Sequence, residues 1–169
     1  MKYRLLLLRH AKSSWDEPEL PDAERPLAPR GRRAAAALGA RLARRRLRID
    51  RVLCSPSRRT RETLALLALD PAIPVSFAEP LYLASARSLL ARLRRLSPRI
   101  RTVLVIGHDP GLEHLATALA GSGRPKALRR LEPGFKTGAL AELRAPDDGW
   151  RALRPGTAYL ERFTRPKDL

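Results

Sequence analysis

The sequence predicts an α/β fold, a three-layer α/β/α sandwich around a mostly parallel central sheet. Two observations indicate it. Short apolar runs alternate with segments of helical periodicity along the whole chain, and 44% of the residues are hydrophobic, which is enough to build a core. The length of 169 residues is typical of one domain, and no linker or internal repeat interrupts it. We therefore expect residues 1–169 to form a single domain.

The elements of the first half follow from apolar run length and from the positions of the prolines. An apolar run of about six residues suits a buried strand better than a helix, and a proline-rich polar stretch is typical of a loop. The predicted elements are a strand at Tyr3–Leu8, a loop at Ser13–Pro29, a helix at 30–47, a strand at Asp50–Cys54, a helix with Pro56 in its first turn, and an edge strand at 72–78.

The second half contains the clearest strand, the run Thr-Val-Leu-Val-Ile bounded by arginine and glycine. Ser85 is a good N-cap residue, because its side chain can accept from an exposed helical N–H. The predicted elements are a helix at 86–96, a strand at Thr102–Ile106, a helix from Pro110 to about Ala120, a basic loop at 121–131, and a closing hairpin of 139–143 with 150–153 around Asp147-Asp148-Gly149.

The charge balance is strongly basic. Lysine and arginine number 34 against 17 acidic residues, a formal net charge of +17. Such an excess suits anionic partners, so a basic module that binds acidic partners is one hypothesis. Nucleic acid is a poor candidate, because aromatics are only 5% and no nucleic-acid motif is present. The arginines are spread along the whole chain, so composition alone explains many of them.

Cysteine usage and apolar run length bear on the compartment. A single cysteine, Cys54, excludes an internal disulfide and a cysteine-built zinc cluster, which is typical of a reducing environment. The apolar run Leu5–Leu8 is too short for a membrane span or a signal-peptide core. We therefore expect a cytoplasmic protein.

Basic and imidazole side chains follow three of the predicted strands. In sheets of this class, ligands bind outside the carboxyl ends of the strands, so these residues are expected to converge. The first strand is followed by Arg9-His10, the second by Ser55-Pro56-Ser57-Arg58-Arg59, and the fourth by Gly107-His108-Asp109-Pro110. The third histidine, His114, lies inside a predicted helix and is interpreted as structural.

This set of side chains suits phosphate chemistry. Arginine forks match phosphate oxygens, and a neutral imidazole can attack phosphorus. The arginines are expected to lower the pKa of His10, because like charges disfavour its protonated form. His10 would then be the nucleophile, while Arg9, Arg59 and His108 stabilise the transition state. The carboxylate pairs that hold magnesium are absent from these strand ends, so neither a metal nor another cofactor is predicted.

At this point the sequence resembles the histidine phosphatase superfamily, which has the phosphoglycerate mutase-like fold, and within it the SixA-like phosphohistidine phosphatases. The match consists of short motifs in the family's order. They are Arg9-His10-Ala11-Lys12-Ser13-Ser14-Trp15 after the first strand, Arg25-Pro26-Leu27 with Arg30-Gly31, Ser55-Pro56 with Arg59 and Thr63, and Gly107-His108. The serine-proline motif selects Arg59, four residues past Ser55, and not Arg58.

The resemblance implies a metal-independent phosphatase with a phosphohistidine enzyme intermediate on His10. It implies that Arg9, Arg59 and His108 are catalytic and hold the phosphate, with Ser13 also among the substrate-binding residues. The small chain resembles family members with an open pocket, which suits a phosphorylated protein, above all protein phosphohistidine. Small-molecule phosphomonoesters and pyrophosphate bonds are the alternative substrates within the same fold, and a catalytically idle basic module is the alternative outside it.

Two positions depart from the superfamily pattern. Ala11 replaces the glycine of the Arg-His-Gly signature, as in the SixA-like subgroup. The general acid of mutase-type members is a glutamate after the third strand, where this chain has Glu79-Pro80-Leu81-Tyr82. Glu79 is the candidate acid, although Tyr82 lies nearer the usual register. A phosphoramidate has a better leaving group than an alkyl phosphate, so a weak acid is compatible with P–N hydrolysis.

Overall fold

Seven strands form one sheet in the computed structural model, which describes residues 2–169. Four strands run parallel to one another in the order β3-β2-β4-β1, and β6 then pairs antiparallel with both β1 and β7. Strand β5 lies at the far edge of the sheet and pairs parallel with β7. The strands are β1 (Arg4–Arg9), β2 (Arg51–Cys54), β3 (Val75–Phe77), β4 (Thr102–Gly107), β5 (Ala120–Gly123), β6 (Leu140–Arg144) and β7 (Ala158–Thr164).

Five helices cover the two faces of this sheet. They are α1 (Pro29–Arg44), α2 (Arg58–Leu67), α3 (Ala86–Leu93), α4 (Gly111–Leu119) and α5 (Pro125–Leu131). Successive side chains of a strand point to opposite faces, and the leucines of β1 follow that rule. Leu6 and Leu8 pack with residues of α1 and α2, whereas Leu5 and Leu7 pack with residues of α3, α4 and α5. The predicted three-layer α/β fold is confirmed.

The helix starts depend on two serine caps. Ser85 accepts a hydrogen bond from the Ser88 N–H, as predicted, and Ser57 accepts one from the Thr60 N–H. The helix predicted to have Pro56 in its first turn therefore starts two residues later, at Arg58. A cap of this kind stabilises a helix by about 1 kcal/mol. No helix within residues 2–169 combines the length and the apolar character needed to span a membrane.

The carboxy-terminal third differs from the sequence prediction. The segment predicted as a basic loop contains β5 and α5. Residues 150–153 are not a strand: Trp150 begins a 3₁₀ turn, is buried, and donates from its indole N–H to the Ile100 carbonyl at 2.7 Å. The antiparallel partner of β6 is instead β7. The large apolar side chain of Trp150 is buried in the core although no strand forms here. Its burial is tolerated because the indole N–H has a hydrogen-bond acceptor there.

The proline-rich segment 13–28 is held down on α1 and α2. Its two ends pair through an isolated bridge between Ser13 and Leu27. The Leu27 N–H also donates to the Glu62 carboxylate of α2 at 2.8 Å. Gly31 lets α1 approach this segment, because a Cβ at that position would stand only 2.1 Å from the Lys12 carbonyl oxygen. The segment is therefore a fixed wall beside the carboxyl ends of the strands.

Candidate functional site

Three neighbouring strands bring the predicted residues together at their carboxyl ends. In the sheet β4 lies between β2 and β1, so Ser55, His108 and His10 follow adjacent strands. Backbone hydrogen bonds extend this register by one step, from the His10 N–H to the Gly107 carbonyl at 3.1 Å and from the Ser55 N–H to the Ile106 carbonyl at 3.0 Å. The two imidazole rings lie with their centroids 5.4 Å apart.

His10 is buried, and its ring nitrogens have distinct surroundings. Nδ1 lies 2.8 Å from the Ala11 carbonyl oxygen. A carbonyl can only accept, so Nδ1 carries the proton in the neutral ring and Nε2 keeps its lone pair. The pKa of His10 is lowered to about 4, first by burial and then by the charges of Arg59, Arg9 and Arg25, while the bond to Ala11 acts in the opposite direction. The predicted direction is right, but burial and not the arginines is the main cause.

Arg59 is almost fully buried and is held from two sides. Its Nη1 donates to the Asp22 carbonyl at 2.6 Å, and its Nη2 donates to the Asp22 carboxylate at 2.9 Å and to His108 Nδ1 at 3.2 Å. Its Nε–H is buried and has no partner within residues 2–169. The end of the guanidinium is thus fixed by Asp22 and His108, while its Nε–H remains available for an acceptor such as an oxyanion.

His108 has both ring nitrogens engaged. Because a guanidinium only donates, Nδ1 accepts from Arg59, and the proton of the neutral ring is on Nε2. Nε2 lies 2.7 Å from the Ser55 hydroxyl oxygen and donates to it. The pKa of His108 is lowered to about 3, chiefly by burial and next by Arg59. Ser55 therefore fixes the tautomer of His108, a role that its place in the motif did not indicate.

Asp22 is the site residue that the sequence reasoning missed. Its carboxylate accepts from Arg59, from Arg25 Nη1 at 3.2 Å, and from the Tyr82 hydroxyl in a short hydrogen bond. These donors lower the pKa of Asp22 to about 2, with the Tyr82 hydrogen bond first among the causes. The carboxylate is therefore charged, and its stabilising contribution is present above about pH 4 and is lost as the pH falls toward 2. Only its position three residues before Arg25-Pro26-Leu27 could have drawn attention to it.

Arg9 and Ser13, the remaining predicted site residues, are each held by protein partners. Arg9 Nη1 donates to the Phe135 carbonyl at 2.8 Å and lies 3.4 Å from the Asp109 carboxylate, while its Nε–H is buried with no partner within residues 2–169. The buried Ser13 hydroxyl accepts from Arg25 Nη2 at 2.6 Å. Ser13 thus supports Arg25 from inside the wall.

Three other residues considered from the sequence lie apart from this cluster. Arg58 is exposed and pairs with Glu62 on α2. His114 is exposed on α4. Glu79, the candidate acid, is exposed in a 3₁₀ turn, and its side chain forms no hydrogen bond or ion pair with the rest of the described chain. Tyr82, by contrast, contacts His108 edge-on at a centroid distance of 5.3 Å.

The cluster is suited to receive an oxyanion next to a nucleophile. Two buried guanidinium N–H donors, on Arg9 and Arg59, have no protein acceptor in the described chain. Unpaired buried donors are costly, and an anionic group with several oxygens would satisfy them. The remaining buried N–H orphans, on Arg41 and Arg51, lie outside this cluster. A tetrahedral oxyanion between the arginines would stand beside the lone pair of His10.

Both buried histidines are expected to stay neutral at pH values well below the ordinary histidine pKa of about 6.5. Because folding lowers their pKa values, protonation favours the unfolded chain, so stability is highest above about pH 6.5 and falls as the pH decreases below it. Ring proton and nitrogen NMR shifts of His10 and His108 should stay flat between about pH 5.5 and 8. Addition of tungstate should move the His108 signals toward the protonated position, because a dianion nearby raises its pKa. A free-enzyme titration midpoint near 6.5 for either ring would contradict this.

Comparisons with known proteins agree with this geometry. The family model described as histidine phosphatase superfamily (branch 1) matches residues 5–82. An uncharacterized protein of Mycobacterium tuberculosis is 38% identical over 162 residues, which make up 95% of this chain and all of that protein. Two solved structures are similar over nearly their whole length. A candidate phosphohistidine phosphatase SixA from Nakamurella multipartitia has a TM-score of 0.83 and 30% identity, covering 98% of this chain and 97% of that one. A second candidate SixA, from Agrobacterium tumefaciens, has a TM-score of 0.82 and 27% identity, covering 98% and 99%.

Proposed function

We propose that this chain, which belongs to the histidine phosphatase superfamily and is a phosphatase, removes the phosphoryl group from phosphohistidine on protein substrates. The reaction would proceed through a phosphohistidine intermediate on His10 and would need no metal. The observation that carries the proposal is the neutral, buried His10 with its free lone pair beside two arginines whose buried Nε–H donors lack acceptors.

The first step would be attack by His10 Nε2 on phosphorus. Arg9 and Arg59 would hold the phosphoryl oxygens through their unpartnered donors, which positions phosphorus in line with the lone pair. The bond from phosphorus to the substrate nitrogen breaks, and that nitrogen keeps the electron pair as the lone pair of a neutral imidazole whose other nitrogen already carries a proton. A P–N bond replaces another P–N bond, so this transfer is close to balanced in energy.

The second step would return the enzyme to its starting state. Water attacks phosphorus, the bond to His10 breaks, and phosphate leaves while His10 regains its lone pair. His108 contributes only if it gains a proton, because its neutral form already uses both nitrogens on Arg59 and Ser55. An incoming dianion would raise the pKa of His108 and favour a positively charged ring beside the phosphoryl oxygens. The negative charge that develops on the phosphoryl oxygens in the transition state is thus stabilised by positive charge close to them.

The environment of the leaving group favours phosphoramidates over alkyl esters. Asp22 is ionised because its pKa is about 2, so it can accept a proton but has none to give. The Tyr82 hydroxyl already donates to Asp22, and its pKa is raised, chiefly by burial. An alkoxide needs a proton donor when it leaves, whereas an imidazole is a much better leaving group. The groups in contact with Arg59 and His108 therefore suit P–N cleavage.

Exposed apolar side chains that adjoin residues of the cluster suit a protein substrate. Trp15 is 66% exposed and stacks on Arg25, whose guanidinium carbon lies 3.2 Å from the ring centroid. Leu83, next to Tyr82, is 56% exposed. Exposed tryptophan and arginine are typical anchors of protein interfaces. A phosphohistidine side chain on a folded partner would be presented to His10 while the partner contacts these two exposed side chains.

The substrate class is tested by a panel of phosphohistidine peptide, phosphoramidate, sugar phosphate and aryl phosphate. We expect kcat/KM to be highest for phosphohistidine.

Glu79→Gln is expected to leave phosphohistidine hydrolysis nearly unchanged and to lower alkyl phosphate turnover only modestly, because Glu79 is exposed and lies outside the contacts of the cluster. A working general acid contributes about 10²–10⁴-fold. A loss of that size on both substrates would make Glu79 catalytic and would favour a small-molecule phosphatase.

Chelation is expected to have little effect on activity. The proposed phosphate donors are guanidinium and imidazole groups, and the nearby carboxylates of Asp22 and Asp109 each contact an arginine. Hydrolysis of an artificial aryl phosphate should therefore be equal before and after EDTA treatment within experimental error. Loss of activity with EDTA and its recovery with magnesium would contradict a metal-independent mechanism.

A further inference from the structure

A second concentration of positive charge lies at the opposite end of the parallel strands. A cleft of about 740 Å³ is bordered there by the first residues of β1 and β4 and by the segments that follow α1 and precede β4. It is separated from His10 by the length of β1, roughly 20 Å at the usual rise of a strand. Its basic side chains are Lys2, Arg4, Arg45, Arg46, Arg48, Arg99 and Arg101.

The carboxylates near this basic cleft are already committed. Asp50 accepts from the backbone N–H groups of Arg101 and Thr102 at 2.9 Å each, and its other oxygen lies 3.2 Å from Arg48 Nε. Glu142 binds Arg45 through two hydrogen bonds of 2.6 and 2.8 Å. The seven cations against these two carboxylates leave a formal excess of five positive charges.

Five of the cations have no carboxylate of their own within residues 2–169, and one of these, Arg101, lies over the ring of Tyr3. Lys2, Arg4, Arg46 and Arg99 are exposed, and none forms an ion pair within residues 2–169. Arginines spread over a convex surface would be solvated independently. Gathered around one concave space, they repel one another and together attract a multiply charged anion.

We propose that this basic cleft is a binding site for an oligophosphate, a chain of phosphates as in inorganic tripolyphosphate or the triphosphate of a nucleotide. The charge count selects this class. A chain of three phosphates carries about four to five negative charges at neutral pH, close to the excess of the cleft, whereas one phosphate group carries at most about two. Arginine forks bind phosphate oxygens in pairs, which a linear chain can satisfy at several points.

The cleft offers recognition of phosphates and none of a nucleobase. Its aromatic neighbour, Tyr3, is buried, and the guanidinium carbon of Arg101 lies over its ring at 4.4 Å. Binding of single-stranded nucleic acid depends on aromatic faces open to stacking, and Tyr3 does not present one. The phosphate chain alone is therefore the ligand, and a nucleotide would be held through its triphosphate.

The test is calorimetric titration of the full chain with tripolyphosphate. The triple variant Arg4→Gln/Arg46→Gln/Arg99→Gln removes three unpaired charges of the cleft. Its matched control is Arg33→Gln/Arg87→Gln/Arg151→Gln, which removes three exposed arginines elsewhere. We expect the cleft variant to bind about 30-fold more weakly or worse and the control to bind within about threefold of the unmodified chain. Hydrolysis of aryl phosphate should be the same in all three proteins, since the cleft is separate from the catalytic site.

Further measurements distinguish the basic cleft from the catalytic site, and inorganic tripolyphosphate from a nucleotide as the ligand. Arg59→Ala should leave binding at the cleft unchanged, so a failure of the proposed phosphatase mechanism does not affect this result. Equal affinity for tripolyphosphate and a nucleoside triphosphate would support recognition of the phosphate chain alone, and tighter binding of the nucleotide would contradict it, because the cleft offers no contact for a base. Equal losses in the cleft variant and the control, or equal affinity for orthophosphate and tripolyphosphate, would overturn the proposal. Tighter, cleft-dependent binding of a single-stranded oligonucleotide would overturn it in favour of nucleic acid.

Discussion

Replacing His10 by alanine is expected to lower kcat by about 10⁴-fold or more on every phosphorylated substrate. The variant lacks the Nε2 lone pair, and no other group in the cluster can take its place. His108 is the nearest candidate, but its Nδ1 accepts from Arg59 and its Nε2 proton is bound to Ser55. The covalent route would therefore be closed, even though Arg9 and Arg59 could still hold a phosphate.

The measurement is rapid quench with labelled substrate followed by peptide mapping. The label should be acid-labile and alkali-stable, as expected of a phosphohistidine, and should map to the peptide that contains His10. Circular dichroism and thermal unfolding establish whether His10→Ala is folded, and His114→Ala serves as the matched control, because His114 is exposed on α4 and its side chain forms no hydrogen bond within residues 2–169. A label on His108 would exchange the two roles. Full activity in His10→Ala would remove the basis of the proposed mechanism.

Arg59→Ala is expected to lower kcat/KM by about 10²–10³-fold and to abolish competitive inhibition by tungstate or vanadate. Arg59 is the buried arginine that contacts His108, and it also neutralises Asp22. Arg58→Ala is the matched control, because Arg58 is adjacent in sequence but exposed and paired with Glu62. If inhibition by the oxyanion were lost in Arg58→Ala and retained in Arg59→Ala, Arg58 and not Arg59 would be the arginine that binds phosphate.

A second variant separates loss of the donor from exposure of a bare carboxylate. In Arg59→Ala the negative charge of Asp22 would face the incoming phosphate without its main partner, which adds repulsion to the lost hydrogen bonds. Adding Asp22→Asn removes that repulsion. We expect the double variant to recover about tenfold in KM and little in kcat, since the missing guanidinium acts on the transition state. Recovery of kcat to the level of the unmodified enzyme would show that Arg59 serves only to neutralise Asp22.

The strand ends were predictable because the physical signal is local. A short apolar run such as Leu5–Leu8 favours a buried strand over a helix, and a polar residue directly after such a strand lies at the end of the sheet. Parallel strands share that end, so the sequence was sufficient to expect His10 near His108. The same reasoning failed after Gly121, where β5 is a four-residue edge strand of alanine, serine and glycine with no apolar run to reveal it.

The α/β architecture, and the two histidines and two arginines that meet in it, could be inferred from the amino-acid sequence, because alternation, run length and motif order are properties of neighbouring residues. That Asp22 holds Arg59, 37 residues away along the chain, and that Ser55 and Ala11 fix the histidine tautomers could be learned only from the tertiary structure. It also decided that burial, more than the arginines, lowers the pKa of His10. Burial and hydrogen-bond geometry depend on which segments pack together in space, and no local pattern of residues specifies them.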